Sequence, residues 1–315
     1  MSNPPLPYTV APFPGELLSS WLKRIAADYR ITLAYLAKHL GLSAVNAGMI
    51  DSNLKEADIR RIAASTRSDP ADIRRMRRRP LQHPVKNLVA SQAPIQFCRM
   101  CRAVHASTTT EPVAIKDWFE FWRIECLHCR APFTPAAKPN LRRCNPGREY
   151  PEWFSQILPI ARIGGQMLAA FARRPLGVPL SPTAVLNLLS MRLNIRVTAA
   201  DYGAIPDTVS WANYRCVAEL FVPGLADLSS EEHFVPEIWT DRKPVRLVTA
   251  RTILFAAMAA FFADARLGFR RITERASATM MVVIDRWFNG LPLASRDLLA
   301  RPRRVGPLVS GLLQT

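Results

Sequence analysis

The chain has 315 residues, 49% of them hydrophobic and 21% charged, which excludes a disordered polymer and allows a buried core without disulfide staples. Its 42 Lys and Arg against 25 Asp and Glu leave a net charge of +17, a balance that attracts polyanions by steering and counterion release. The longest apolar run, Thr252 to Ala263, is too short to span a bilayer, and no basic segment followed by an apolar one opens the chain; the expectation is a soluble, cytoplasmic protein with no membrane partner.

Residues 1–14 are rich in proline and read as extended. From Glu16 onward apolar residues fall at helical spacing, with Leu17, Trp21 and Ile25 on one stripe and Leu18 and Leu22 beside it. Thr32 is placed to cap a second helix carrying Leu33, Leu36, Ala37 and Leu40, and Gly41 is placed to end it. Leu36 to Ser43 resembles the first helix and turn of a helix-turn-helix, with a second helix beginning within residues 44–50; an ordinary helix pair ended by Gly is the alternative. A further helix is expected over Ala57 to Ser65. Asp69 and Pro70 read as cap and first residue of the next, running to Arg79.

That last helix ends in Arg74, Arg75, Met76, Arg77, Arg78 and Arg79. Cations at a helix C-terminus complement its dipole without any partner. Five of them repel one another, however, and the dipole needs only one or two, so this cluster and Lys38 are read as candidate phosphate contacts. Residues 1–150 hold 23 of the basic residues against 12 acidic ones, which places the charge excess in the same half.

Prolines at 80–94 mark a boundary. Beyond residue 150 the pattern is helical again. Trp153 to Phe171 is amphipathic but interrupted at Gly164 and Gly165. Ser181 and Pro182 open a helix through Leu193, and further helices are expected near 207–221, 244–265, 270–288 and 295–300. The fold class is therefore mainly α: a helix-turn-helix-like domain over 1–92, a small zinc-binding module over 93–149 and a helical domain over 150–315.

The middle module rests on its cysteines. Cys98 and Cys101 form one CxxC, and Cys126 and Cys129 a second. Each pair places two thiolates on one tight turn, and four together close a tetrahedral zinc site with no position left for a catalytic water. Such zinc is structural and supplies folding free energy to a module with little core of its own. His105 and His128 are alternative ligands, and Cys144 is a spare thiol or remnant ligand. Cys216, in what reads as an apolar helix, is assigned to the core. Between the pairs lies Trp118-Phe119-Glu120-Phe121-Trp122, read as core of the metal module in preference to a base-stacking stripe.

The opening motif Pro14-Gly15-Glu16-Leu17-Leu18-Ser19-Ser20-Trp21-Leu22-Lys23-Arg24 resembles the signature of the TniQ family, and Leu40-Gly41-Leu42, the first CxxC and Trp118 to Arg123 follow in the family's order. The resemblance covers about residues 10–145. It departs in two places: Cys129 stands where the family has a His, and the family's final CxxC is reduced to Cys144-Asn145-Pro146. The resemblance implies a non-enzymatic adaptor of DNA transposition. It would link target DNA, or a guide-RNA-bearing CRISPR effector complex, to an AAA+ ATPase transposition regulator, and would dimerise as some members do.

Two other classes compete. A zinc-containing helix-turn-helix transcription regulator shares the charge and the helix pair, and predicts a palindromic operator. An enzyme lacks support, since the chain carries no phosphate-binding Gly-rich loop, no His-Glu-x-x-His and no deaminase pattern.

Overall fold

The computed structural model describes residues 4–42, 46–78, 81, 85–90, 93–136, 152–174, 179–194, 214–222 and 248–300. Among them the fold is predominantly helical, as the periodicity anticipates, and two short antiparallel strand pairs are present as well.

The N-terminal segment runs extended to Gly15, whose φ of +73° is a backbone turn that glycine adopts without strain. The segment is strapped down by Leu6, whose N–H donates to the Ser65 carbonyl at 2.8 Å, and by Tyr8 stacked on Tyr29 with ring centroids 4.7 Å apart. Five helices follow: α1 (Leu18–Asp28), α2 (Leu33–His39), α3 (Ala47–Ser52), α4 (Glu56–Thr66) and α5 (Pro70–Met76). Side chains satisfy the orphan N–H groups at their starts. Thr32 caps α2, Asn46 caps α3 and Asp69 caps α5 with Pro70 behind it. Gly41 ends the α2 segment at φ +66°, as its place in the sequence predicts. The second helix of the pair starts at Ala47, inside the expected interval, and is only six residues long.

Helix α5 is shorter than expected. It stops at Met76 because Arg77 turns to extended backbone at ψ 156°, and the Arg78 N–H leaves the helix to donate to the Asp51 carbonyl at 2.7 Å. Arg79 lies outside the described residues.

Strand β1 (Gln96–Phe97) pairs antiparallel with β2 (Thr134–Pro135) and is followed by α6 (Arg99–Thr108). The C-terminal half comprises α7 (Glu152–Arg173), α8 (Pro182–Leu189), β3 (Arg192–Asn194) paired antiparallel with β4 (Tyr214–Cys216), then α9 (Val248–Ala263), α10 (Ala265–Arg275), α11 (Ala278–Asn289) and α12 (Leu293–Ala300). Helix α9 is the central one, buried along most of its length against α7, α8 and α10.

Four expectations for this half change. The helix expected through Leu193 ends at Leu189, because the chain turns at Ser190 and Leu193 pairs in β3. Gly164 and Gly165 do not interrupt α7; they sit inside one continuous helix. A Cβ at Gly164 would stand 2.1 Å from the Phe255 carbonyl oxygen, and one at Gly165 2.5 Å from that of Trp122. The glycines are there so that two backbones can touch, not to end a helix. The segment expected as helix over 207–221 contains β4 and a short 3-10 turn (Val217–Leu220) in its described part, so Cys216 is a core residue of a strand rather than of a helix. The interval 270–288 is split between α10 and α11, because Ala276 is extended and Ser277 caps a new helix.

Apolar burial divides into two clusters. One is built by α1 to α5 and contains Leu18, Trp21, Leu36, Ile50, Ile62 and Ile73. The other contains Leu17, the residues around the cysteines and the helices from α7 onward. Leu17 and Leu18, adjacent in the chain, thus enter different clusters.

Candidate metal centre

Cys98 is the residue before α6 and Cys101 lies in its first turn, while Cys126 and Cys129 bracket a tight turn whose Cys126 carbonyl accepts from the Arg130 N–H at 3.0 Å. That turn is closed by Arg130 in the left-handed region at φ +59°. The Sγ atoms of Cys98 and Cys129 are 3.1 Å apart and those of Cys101 and Cys126 3.6 Å apart. All four lie within 4.8 Å of one another. These separations are well beyond a disulfide bond of about 2.05 Å. They approach the edges of roughly 3.8 Å that a tetrahedron with metal–sulfur bonds of about 2.3 Å requires. The four cysteines can therefore hold one metal ion.

Without a cation, burial disfavours the thiolate form at two of the four positions. Burial pushes the Cys98 thiol up to about 11 and raises Cys101 as well. At Cys129, burial acts the same way but is outweighed by hydrogen bonds from Cys98, the Ala131 backbone and the other two thiols, so its thiol is lowered. A cation among them is the ordinary means of stabilising four clustered thiolates.

No histidine joins this group among the described residues. His105 is buried on α6 with its ring 4.4 Å from Phe13 and 6.0 Å from Trp118, and His128 is exposed on the second knuckle. Cys144 lies outside the described residues.

Three sets of contacts hold the centre in place. The aromatic segment is core: Trp118, Phe119, Phe121 and Trp122 are all buried. Next to Cys98, the Gln96 side chain donates to the carbonyls of Asp117 at 3.0 Å and of Glu120 and Arg123, each at 3.2 Å. Arg251, fully buried on α9, donates to the carbonyls of Phe121 at 2.7 Å and Arg123 at 3.0 Å and to the Gln96 side-chain oxygen. Next to Cys126, buried Glu125 pairs with Arg162 of α7 at 2.7 Å and with Arg130 at 3.7 Å. The third set joins the centre to α1. Gly15 and Leu17 exchange backbone hydrogen bonds with Lys116 and Ala114, both 2.9 Å. The Glu16 carboxylate is buried against Arg24, Ser20 and the Phe13 N–H.

Sequence reasoning quoted Glu16, Ser20 and Arg24 only as parts of a signature and missed Gln96, Arg251 and Glu125. A polar residue within two positions of a metal-binding cysteine was the available signal for Gln96 and Glu125. Arg251 had a weaker one, a lone cation bordering the most apolar run in the chain.

The expected basic cluster is dispersed. Lys38 is exposed on α2. Arg74 is half exposed and pairs with Glu56, whose carboxyl is lowered chiefly by that hydrogen bond. Arg75 is exposed and pairs with Asp72. Arg77 donates to the Ser52 carbonyl at 3.0 Å. Arg78 turns inward, with its guanidinium 4.1 Å from the centre of the Phe119 ring, a hydrogen bond to the Ala90 carbonyl and Asp51 at 3.9 Å. Helix α3 itself carries no cation; Arg77 and Arg78 contact its Ser52 and Asp51, Arg61 of α4 donates to the Gly41 carbonyl, and Lys38 lies on α2.

No single helix among the described residues is long and apolar enough to cross a membrane. Residues 7–129 match the model of the TniQ family. No curated protein and no solved structure matches the chain.

Proposed function

We propose, for a chain whose residues 7–129 form a TniQ domain, a non-enzymatic accessory role in DNA transposition in which it links target DNA, or a CRISPR effector complex on that DNA, to an AAA+ ATPase regulator. The observation that carries this reading is where the family signature sits. Its Glu16, Ser20, Trp21 and Arg24 are buried or nearly so and tie the basic N-terminal helices to the four-cysteine centre. The motif preserves a rigid body, as a scaffold requires, and places no nucleophile, general base or phosphate loop in a cleft.

Zinc is the metal proposed, since four thiolates in a closed tetrahedron suit it and leave no open coordination position. Its role is structural. Polyanion contact falls on exposed Lys38, Arg74 and Arg75, with Arg77 beside them. The ion pairs of Arg74 and Arg75 lie in solvent, where such pairs contribute about 0–1 kcal/mol, so a phosphate can replace the carboxylate at little cost. Arg78 serves the fold instead. With no cation on α3, binding is expected to track phosphates rather than base edges.

The test is duplex-DNA binding at several salt concentrations with Lys38, Arg74 and Arg75 changed together to Glu. Each lost phosphate contact lowers the slope of log affinity against log salt by roughly 0.9. An unchanged slope and affinity would remove these residues from the interface. Pull-down of the AAA+ ATPase by the same variant separates the two arms, because the ATPase contact is expected to survive.

A further inference from the structure

We infer that the outer face of the metal module is a docking site for a short apolar peptide segment flanked by acidic residues, supplied by a partner protein. The inference goes beyond the DNA-linking role and does not depend on it.

Met100 and Val104 are one helical turn apart on α6 and share a face. They are 64% and 60% exposed, and Leu127 of the second knuckle is 46% exposed. Scattered apolar residues need no explanation on a surface, but these three line one open cleft of about 980 Å3 together with Phe13, His105 and Trp118. At the base of that cleft His105 is buried, and its Nδ1 has no hydrogen-bond partner. A buried ring nitrogen left unpaired costs stability, and a site that receives a donor or acceptor there recovers it. The cleft therefore combines apolar walls with several polar groups able to fix orientation, the His105 Nδ1 among them, the usual composition of a recognition pocket.

Charge selects the occupant. The cleft is lined by Arg78, Lys116, Arg123 and Arg173 against Asp117 and Glu120, an excess of cations, and Arg99, Arg102 and Arg130 are exposed elsewhere on the same module. A peptide entering the cleft meets cations at its flanks, so acidic residues there are favoured in both on-rate and register. The basic rim alone would equally suit a nucleic acid. The unbranched thioether of Met100 and the aliphatic walls suit a side chain, and Met is well fitted to adaptable peptide contacts.

The experiment uses the intact, zinc-loaded protein and a phage-displayed random peptide library as the probe. Peptides recovered from it are synthesised with a fluorophore and titrated by fluorescence polarisation. The expected result is enrichment of sequences with an apolar anchor flanked by Asp or Glu. Their affinity falls roughly tenfold or more in Met100→Glu and in Val104→Glu. Both positions face solvent, so circular dichroism and zinc content should match wild type. His105→Phe keeps an aromatic ring in the cleft and removes the nitrogen; weakened binding with an equal or higher melting temperature is expected. Failure to enrich any peptide would overturn the inference. So would peptides indifferent to both Glu variants, or full displacement of the peptide by duplex DNA that itself loses affinity in those variants.

Discussion

The Glu16 carboxylate accepts hydrogen bonds from the Arg24 Nη2 at 2.8 Å and Nε at 3.0 Å, and both residues are buried. The same guanidinium donates to the Ala11 carbonyl at 2.7 Å and lies 4.4 Å from the centre of the Phe13 ring. Phe13 in turn packs on His105 of α6. One ion pair thus ties together the N-terminal strap, the first helix and the metal module. Removing one partner leaves an uncompensated buried charge, which costs about 3–5 kcal/mol. Arg24→Ala or Glu16→Ala is expected to lower the unfolding free energy extracted from urea melts by that amount. The double change Glu16→Leu, Arg24→Met should cost less than either, because no charge is stranded.

Metal removal gives a second expectation. Elemental analysis of purified protein should find stoichiometric zinc, and a strong chelator should lower the melting temperature and expose the buried Trp118 and Trp122 to solvent, read by a red shift in tryptophan emission. Cys98→Ser and Cys126→Ser should each reproduce the loss. Retention of fold by a variant lacking all four thiols would remove the metal from the account.

The close approach of α7 to its neighbours yields a third. Gly164→Ala sets a methyl group against the Phe255 carbonyl and Gly165→Ala sets one against that of Trp122. Neither obstacle is a flexible side chain, so the backbones must separate. The expected cost is about 3 kcal/mol or more, at the upper end for overpacking. On intrinsic helix propensity alone, Ala would be stabilising by roughly 1 kcal/mol, so the sign of the effect distinguishes the two descriptions in a single denaturation curve.

Asp51 provides a pH test. Burial raises its carboxyl above the usual 3.8, against the lowering effects of its two hydrogen bonds from Ser19 and of nearby Arg78. A carboxyl raised in the folded state stabilises most below its unfolded value, and that contribution is lost as pH climbs through the folded one. Asp51→Asn keeps an acceptor for the Ser19 N–H and abolishes the titration. Its stability relative to wild type should therefore improve as pH rises from below 3.8 toward neutrality, measured by denaturant melts across that range.

What could be read from the sequence, and what could not, follows from the range of the interactions involved. Caps and the CxxC pairs act over a few residues, so Thr32, Asp69, Pro70 and the four cysteines were legible as letters. The glycines at 164 and 165 were misread because their reasons lie far along the chain, in the backbones at Phe255 and Trp122 respectively. Arg78 looked like its neighbours, yet its fate was set by Asp51 and Phe119, which no local pattern reveals. The strand ending in Cys216 pairs with residues 192–194, and an isolated apolar stretch of that length does not distinguish strand from helix. The signature around Glu16 was recognisable as a pattern, but that its carboxylate meets Arg24 in the interior required the fold.

Arg251 holds the carbonyls of the segment between the two cysteine pairs from a helix well over a hundred residues downstream. Whatever loosens that segment also strips partners from a guanidinium sealed inside the C-terminal half, so the two halves cannot melt independently at low cost. Loss of the metal would then open the whole polypeptide to proteolysis rather than leave one half folded and intact.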